Sequence, residues 1–174
     1  MTANPEDIVQ ALLEAWNARD LDRFIAMLTE DVEWYDLGML HPPARGRQAV
    51  RAFSESVLTA FPDFAYVLEH PICVSPDGKR CVVLWKITAT HTGMLSPPGF
   101  APTNRQACFQ GVDVLEFQGG LISRVFTLFD VIAAAEQITG MPIRFPAGSF
   151  RERIAVFLQR TIAFFARQRS SNAA

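Results

Sequence analysis

The chain has 174 residues, of which 49% are hydrophobic and 20% charged, with a formal net charge of −2. This is the balance of one globular domain with a sizeable core, and it excludes the strong basicity of a nucleic-acid binder or of a protein held to anionic membrane. No apolar run is long enough to span a bilayer, and the polar opening MTANPEDIVQ is unlike a signal peptide, so a cytoplasmic protein is expected.

Ile8, Ala11, Leu12, Ala15 and Trp16 recur at helical spacing after Pro5 and predict an amphipathic first helix. Asp20 suits the N-cap of a second helix carrying Leu21, Phe24, Ile25 and Leu28. A short strand, Val32 to Leu37, and a loop from Gly38 to Gly46 with Pro42 and Pro43 follow. Val50, Phe53, Ser54, Val57, Leu58 and Phe61 form the clearest helical stripe, stopped at Phe61-Pro62-Asp63.

The period then changes to two. Phe64 to Cys73 reads as a strand, and Ser75-Pro76-Asp77-Gly78 as a turn. Arg80 to His91 alternates, with Val83, Trp85, Ile87, Ala89 and His91 on one face. Thr92 to Gln106 is long for a connection and suggests a rim over a pocket. Ala107 to Asp130 reads as a hairpin about Gly119-Gly120, and Val131 to Thr139 as a short helix ended by Gly140. Ser149 and Glu152 fit a capping box opening an arginine-rich helix, Phe150 to Arg167.

Helices followed by a run of antiparallel strands give an α+β class. The expected architecture is a curved sheet wrapped around the N-terminal helices, over residues 1–140. Residues 141–174 then form a helical extension packing on the same domain or on a dimer partner. Cys73, Cys81 and Cys108 form no CxxC and read as buried thiols, and His41, His70 and His91 show no metal-ligand spacing.

Acids in apolar strands carry the chemistry. An Asp on a core face is costly unless it is paired or protonated. Asp113 shares parity with Phe109, Gly111, Leu115 and Phe117. It is either a buried, partnered acid or a group that tunes proton transfer or donates to a developing enolate. Asp130 shares parity with Ile122, Arg124, Phe126 and Leu128. It is either the N-cap of the helix that follows or, if Phe126 and Leu128 face a cavity, the general acid/base. Asp36 shares parity with Val32 and Trp34, and is a strand-end residue or a third acid of the site. Trp34, Trp85, His91, Phe109 and Phe126 are candidates for the pocket wall, or else plain core.

The order Gly46-Arg47-x-Ala49-Val50, Phe61-Pro62-Asp63, Ala89-Thr90-His91-Thr92-Gly93, then Gly111-Val112-Asp113 to Asp130 resembles the SnoaL-like polyketide cyclases of the nuclear transport factor 2-like superfamily, over roughly residues 5 to 140. The resemblance implies a cone-shaped α+β barrel, commonly homodimeric, with a pocket for a hydrophobic small molecule at its open end. It also implies ring closure by an intramolecular aldol step without metal or cofactor, with Asp130 as acid/base. Val32-Glu33-Trp34-Tyr35-Asp36 and Gly111-Val112-Asp113 further resemble the aspartate-bearing strands of ketosteroid isomerases. Leu12 or Trp16 stands near the place of that enzyme's first-helix tyrosine. Epoxide hydrolysis is an alternative if Arg124 joins Asp113 and Asp130 around a water. A non-catalytic domain that holds a lipid-like ligand or a protein partner is the alternative outside enzymes.

Overall fold

The computed structural model describes residues 4–36, 42–96, 99–144 and 146–171, with side chains as far as residue 161. It forms two compact units, Met1–Met141 and Pro142–Ala174. In the first, α1 (Pro5–Asn17) starts with Pro5 behind Asn4, whose side chain accepts from the Glu6 backbone N–H, while Asp20 caps α2 (Leu21–Ala26). Strand β1 (Leu28–Asp36) is followed by β2 (Ala44–Arg45) and α3 (Arg47–Ala60). Next come β3 (Ala65–Leu68), β4 (Cys73–Val74), β5 (Arg80–Thr90), β6 (Gln106–Gln118), β7 (Leu121–Phe129) and α4 (Val131–Thr139).

The sheet is curved and open, in the order β2-β1-β7-β6-β5-β3 with β4 also on β5. Every pairing is antiparallel except β1 with β7, which run parallel. The expected α+β class is therefore observed. Leu28, read as part of the second helix, instead opens β1, and two further stretches depart from the sequence reading. The stretch read as one strand from Phe64 breaks into β3 and β4 around His70-Pro71, because proline has no N–H for the ladder. Within the expected loop, Ala44–Arg45 pairs with β1; residues 38–41 of that loop, and residue 37 at the end of the expected strand, lie outside the described residues.

The outer face of the sheet carries a ladder of alternating charge. Glu33, Arg124, Glu116 and Arg80 are opposite one another across β1, β7, β6 and β5. Arg124 bonds Glu33 at 3.0 Å and Glu116 at 3.3 Å, and Arg80 bonds Glu116 at 3.2 Å. Such half-exposed pairs contribute at most about 1 kcal/mol each, so their main effect is to hold the strands in register. Stability comes from the inner face, where Leu28, Val32, Val83, Trp85, Leu115, Ile122 and Val125 are buried beneath α1 and α3 residues such as Val9, Leu12, Val50 and Val57.

Only Cys81 among the three thiols is buried; Cys73 and Cys108 are exposed, contrary to expectation, because their strand positions face outward. In the second unit α5 runs Phe150–Ser171. The Ser149 hydroxyl accepts from the Glu152 N–H, while the Glu152 carboxylate accepts from Gly148 N–H. Phe150, Ile154, Phe157 and Leu158 on this helix are exposed.

Gly93 ties the end of β5 to the end of α3: the N–H groups of Thr92 and Gly93 both donate to Ala60 O at 3.0 Å. A Cβ on Gly93 would lie 2.0 Å from the Thr59 carbonyl oxygen, a backbone atom with no room to yield. Gly93→Ala is expected to destabilise the fold by about 1–3 kcal/mol. Gly119→Asn, at φ +62° in open space, is expected to cost less than about 1 kcal/mol. Chemical denaturation of the two variants checks this.

Candidate functional site

Strand register assembles the site. Thr127 on β7 is directly opposite Asp36 on β1 and Asp113 on β6, so the three polar side chains form one row across adjacent strands. All three are buried, at 7%, 4% and 6% exposure for Asp36, Thr127 and Asp113. Two strand spacings, roughly 10 Å of backbone, separate the two acids, and both side chains border one cavity.

That cavity lies between the inner face of the sheet and α1–α3. Leu12, Leu13 and Trp16 come from α1, Phe24 from α2, and Phe53, Ser54 and Val57 from α3. The sheet supplies Trp34, Asp36, Tyr66, Trp85, Ile87, Phe109, Asp113, Thr127 and Phe129, and Phe64 completes the wall. Its water-sized free volume is about 50 Å³, room for a few water molecules. The aromatic rings lean on one another: Phe109 stacks on Phe129 at 5.1 Å, and Tyr66 meets Trp85 edge-on at 5.4 Å.

Gly111 makes room for the Trp85 indole. It is opposite Trp85 on β5 and Phe129 on β7, and a Cβ there would lie 2.2 Å from the Trp85 ring. Without a side chain at 111, the indole can lie across the neighbouring strand, close to Asp113.

Burial in this apolar wall pushes the Asp113 carboxyl up to about 7, and the nearby charge of Asp36 pushes the same way. The Thr127 hydroxyl and the Trp85 indole lie beside the carboxyl and oppose that rise. Asp113 Oδ1, Thr127 Oγ1 and Trp85 Nε1 are all buried, as is Trp16 Nε1 in the same wall. Tyr66 is held well above the usual phenol range by burial and by the charges of Asp113 and Asp36, so it stays a neutral donor.

Of the residues singled out from the sequence, Asp36, Asp113, Trp34, Trp85 and Phe109 line this cavity. Asp130, Phe126 and His91 do not. Asp130 is exposed and caps α4, its Oδ1 accepting the Ala133 N–H at 2.9 Å. Phe126 stacks on Tyr35 at 4.7 Å on the outer face. The cause is a bulge: the β6–β7 register slips between Glu116 opposite Arg124 and Phe117 opposite Ile122. Ile122 points inward as expected, but beyond the slip Val125 and Thr127 take the inner face. Leu128 is exposed. The same slip puts Arg124 on the outer face with Glu33 and Glu116, so it cannot join Asp113 around a water.

His91 is fully buried but packs away from the cavity, stacked on Phe61 at 5.1 Å with Nδ1 3.4 Å from Thr103 Oγ1. Burial lowers its pKa, keeping it neutral. The sequence reading missed Tyr66, Thr127 and Phe129. Alternation with Phe64 marks Tyr66 as inward; Thr127 and Phe129 become readable only once the bulge is known. Among the described residues no cluster of His, Cys, Asp or Glu side chains is placed to hold a metal ion, and no helix is long and apolar enough to cross a membrane.

The raised Asp113 pKa makes stability depend on pH. Below pH 3.8 the carboxyl is neutral both folded and unfolded. Between there and about 7 the unfolded chain loses a proton that the folded chain keeps, so stability falls as pH rises. The loss is complete above that range and amounts to about 4 kcal/mol. Asp113→Asn is expected to abolish this slope and to melt higher than the wild type at alkaline pH, as thermal scans across the range will show. Gly111→Ala is expected to displace the Trp85 indole and change its near-ultraviolet circular dichroism.

A SnoaL-like domain profile matches residues 9–125. The structure resembles that of AclR, a candidate hydroxylase from Streptomyces galilaeus, with TM-score 0.67 and 22% identity, covering 82% of this chain and 100% of that one. It also resembles a candidate SnoaL-like polyketide cyclase from Jannaschia sp., with TM-score 0.70 and 20% identity over 80% of this chain and 94% of that one. A third similar structure is an NTF2-like protein of unknown function from Burkholderia pseudomallei, with TM-score 0.65 and 26% identity over 79% and 98% of the two chains. No curated protein matches the sequence. The structural likenesses carry the fold, and the profile, which spans more than half of the chain, carries the family: this protein belongs to the SnoaL-like domain family.

Proposed function

We propose that the protein is an acid/base enzyme that moves a proton on a hydrophobic carbonyl compound, with aldol-type cyclisation of a polyketide-like substrate as its reaction. One observation carries the reading: a carboxyl group, Asp113, sits in an apolar aromatic pocket with its pKa raised to about 7. A base of that strength is matched to neutral pH, ionised often enough to accept a proton and acidic enough to return it. The reading also draws on the family, since similar structures are named as candidate polyketide cyclases.

In this mechanism the Asp113 carboxylate takes a proton from the carbon beside a carbonyl, and the electron pair of that C–H bond moves into the carbonyl to give an enolate. The enolate carbon attacks a second carbonyl of the same molecule, forming the ring bond. Protonated Asp113 then returns its proton to the new alkoxide. Asp36 acts on Asp113 through charge, and the neutral Tyr66 phenol donates to the developing oxyanion. Exclusion of water by the aromatic wall strengthens both effects. The proton transfer itself requires no cofactor, because the carboxyl is the base.

Double-bond isomerisation is the second reading, favoured by Tyr66. The first helix offers no phenol, but β3 brings one into the wall beside Asp113. Isomerisation uses the same proton abstraction and differs only in where the proton returns. Epoxide hydrolysis has no comparable support, since Arg124 is on the other face of the sheet.

Both readings predict exchange of carbonyl α-protons for deuterium. With 2-tetralone in heavy water, the wild type is expected to accelerate exchange, with the rate rising with pH to a plateau above about pH 7. Asp113→Asn is expected to lower the rate at least about 100-fold. Asp130→Asn, which preserves a good helix cap, is expected to stay within about twofold. Exchange that survives in Asp113→Asn and is lost in Asp130→Asn would return the role to the strand-end acid.

A further inference from the structure

Tyr66, the phenol of the proposed oxyanion site, is carried by an edge strand. β3 ends the sheet order and, among the described residues, pairs with β5 alone, over the four residues Ala65–Leu68. In an antiparallel pair each residue either exchanges both backbone bonds with its opposite or turns both away from it. Tyr66, opposite Ile87, turns them off the edge of the sheet. The placement of such a residue depends on what meets its outward N–H and C=O.

The side chain of Asn17 meets both. Its Nδ2 donates to Tyr66 O at 2.9 Å, and its Oδ1 accepts the Tyr66 N–H at 2.9 Å. A carboxamide offers a donor and an acceptor side by side, as a neighbouring strand does, so the last residue of α1 stands in for one. The same helix end holds the phenol ring, because Trp16 meets it edge-on at 5.8 Å. Just beyond, Arg19 at φ +62° turns its guanidinium onto Pro62 O, which accepts from Nε at 3.0 Å and from Nη2 at 2.7 Å. Asp63 accepts from the Thr90 N–H at 2.7 Å and from the Thr90 hydroxyl at 2.6 Å. The chain entering β3 is thus pinned at Pro62 and Asp63. Of these polar contacts, the Asn17 pair is the one made with the residue that carries the phenol.

We infer that Asn17 is a positioning residue for the reaction: its paired hydrogen bonds to the Tyr66 backbone hold the Tyr66 hydroxyl where the enolate oxygen develops. This rests on the proton-transfer reading and adds to it a residue outside the cavity. Asn17 is exposed and does not belong to the pocket wall, so its effect passes through β3 rather than by touching substrate. The shortness of the strand makes that effect large. With its outward groups released, Tyr66 is held to the sheet only through its neighbours, and a misplacement of about 1 Å can lower a rate about 100-fold. Aspartate, with the same shape but no donor, would face Tyr66 O with a second acceptor.

Saturation kinetics of 2-tetralone exchange test the role. Tyr66→Phe is expected to lower kcat about 100-fold. Asn17→Ala is expected to lower kcat about tenfold and to leave KM within about twofold. Made in the Tyr66→Phe background, the same Asn17→Ala change is expected to alter kcat less than about twofold, because the hydroxyl it positions is gone. A contribution through stability or general packing would lower both backgrounds by the same factor. Asn17→Asp keeps one of the two bonds and is expected to lose as much kcat as Asn17→Ala; it carries the comparison if the alanine variant does not fold. Equal losses in the two backgrounds, full activity in the Asn17 variants, or a loss confined to KM overturns the inference and leaves Asp113 as the base. Wild-type exchange in Tyr66→Phe overturns it together with the role of the phenol. Exchange that ignores Asp113→Asn but keeps the coupling of Asn17 to Tyr66 would overturn the base and leave the positioning standing. A wild type that does not accelerate exchange overturns both.

Discussion

Everything in this site depends on which residues of β7 point inward. Thr127 stands between Asp36 and Asp113 only because the strand slips by one residue near its start. Without the slip, Arg124 and Phe126 would enter the cavity and Thr127 would face solvent. A one-residue change in pairing exchanges the two faces of a strand completely. The bulge thus separates two kinds of electrostatics on one sheet. Outside, Glu33, Arg124, Glu116 and Arg80 neutralise one another in contact with water. Inside, two acids face aromatic rings, with no cation among the described residues of the wall.

The contrast explains why the inner acids are the chemically poised ones. Glu33 is drawn below the usual carboxylate range by its bonds to Tyr35 and Arg124, so it stays ionised and inert as a base at neutral pH. Asp113 has the opposite environment and the opposite displacement. Two carboxylates of one sheet, Glu33 on β1 and Asp113 on β6 with β7 between them, therefore differ in role because of the face they occupy. The fold tolerates the inner pair at the expense of stability at alkaline pH, a cost typical of sites that bind or react.

Much of this architecture was legible in the sequence because its signals are local. The Gly119-Gly120 turn, with φ of +62° and +81°, was readable from two glycines between apolar runs, and the Asp20 cap and the Val131–Thr139 helix from their end residues. Alternation sufficed on β1, β5 and β6, where Trp34, Asp36, Trp85, Phe109 and Asp113 all face as their parity implies. It failed on β7, because a bulge leaves no residue-type signature in the run Ile122-Ser123-Arg124. Asp130 was misjudged through the same unbroken count, although its alternative identity as a helix cap was plain from the residues after it. Tyr66 was passed over because its strand is short and ends at a proline.

The parallel pairing of β1 with β7 has a consequence for how the protein comes to exist. Thr127 lies 91 residues beyond Asp36, the separation also spanned by the Glu33–Arg124 pair. Strands β5, β6 and β7 are successive antiparallel neighbours and can zip together locally. The acid pair, by contrast, requires closure of a loop half the length of the chain, which makes such contacts slow to form. On a ribosome, the strand bearing Trp34 and Asp36 is made early and must wait, with one edge uncovered, until β7 has been synthesised. The pocket is therefore among the last features to be completed, and the charged positions Glu30, Asp31 and Glu33 of β1 keep that waiting strand from finding the wrong partner.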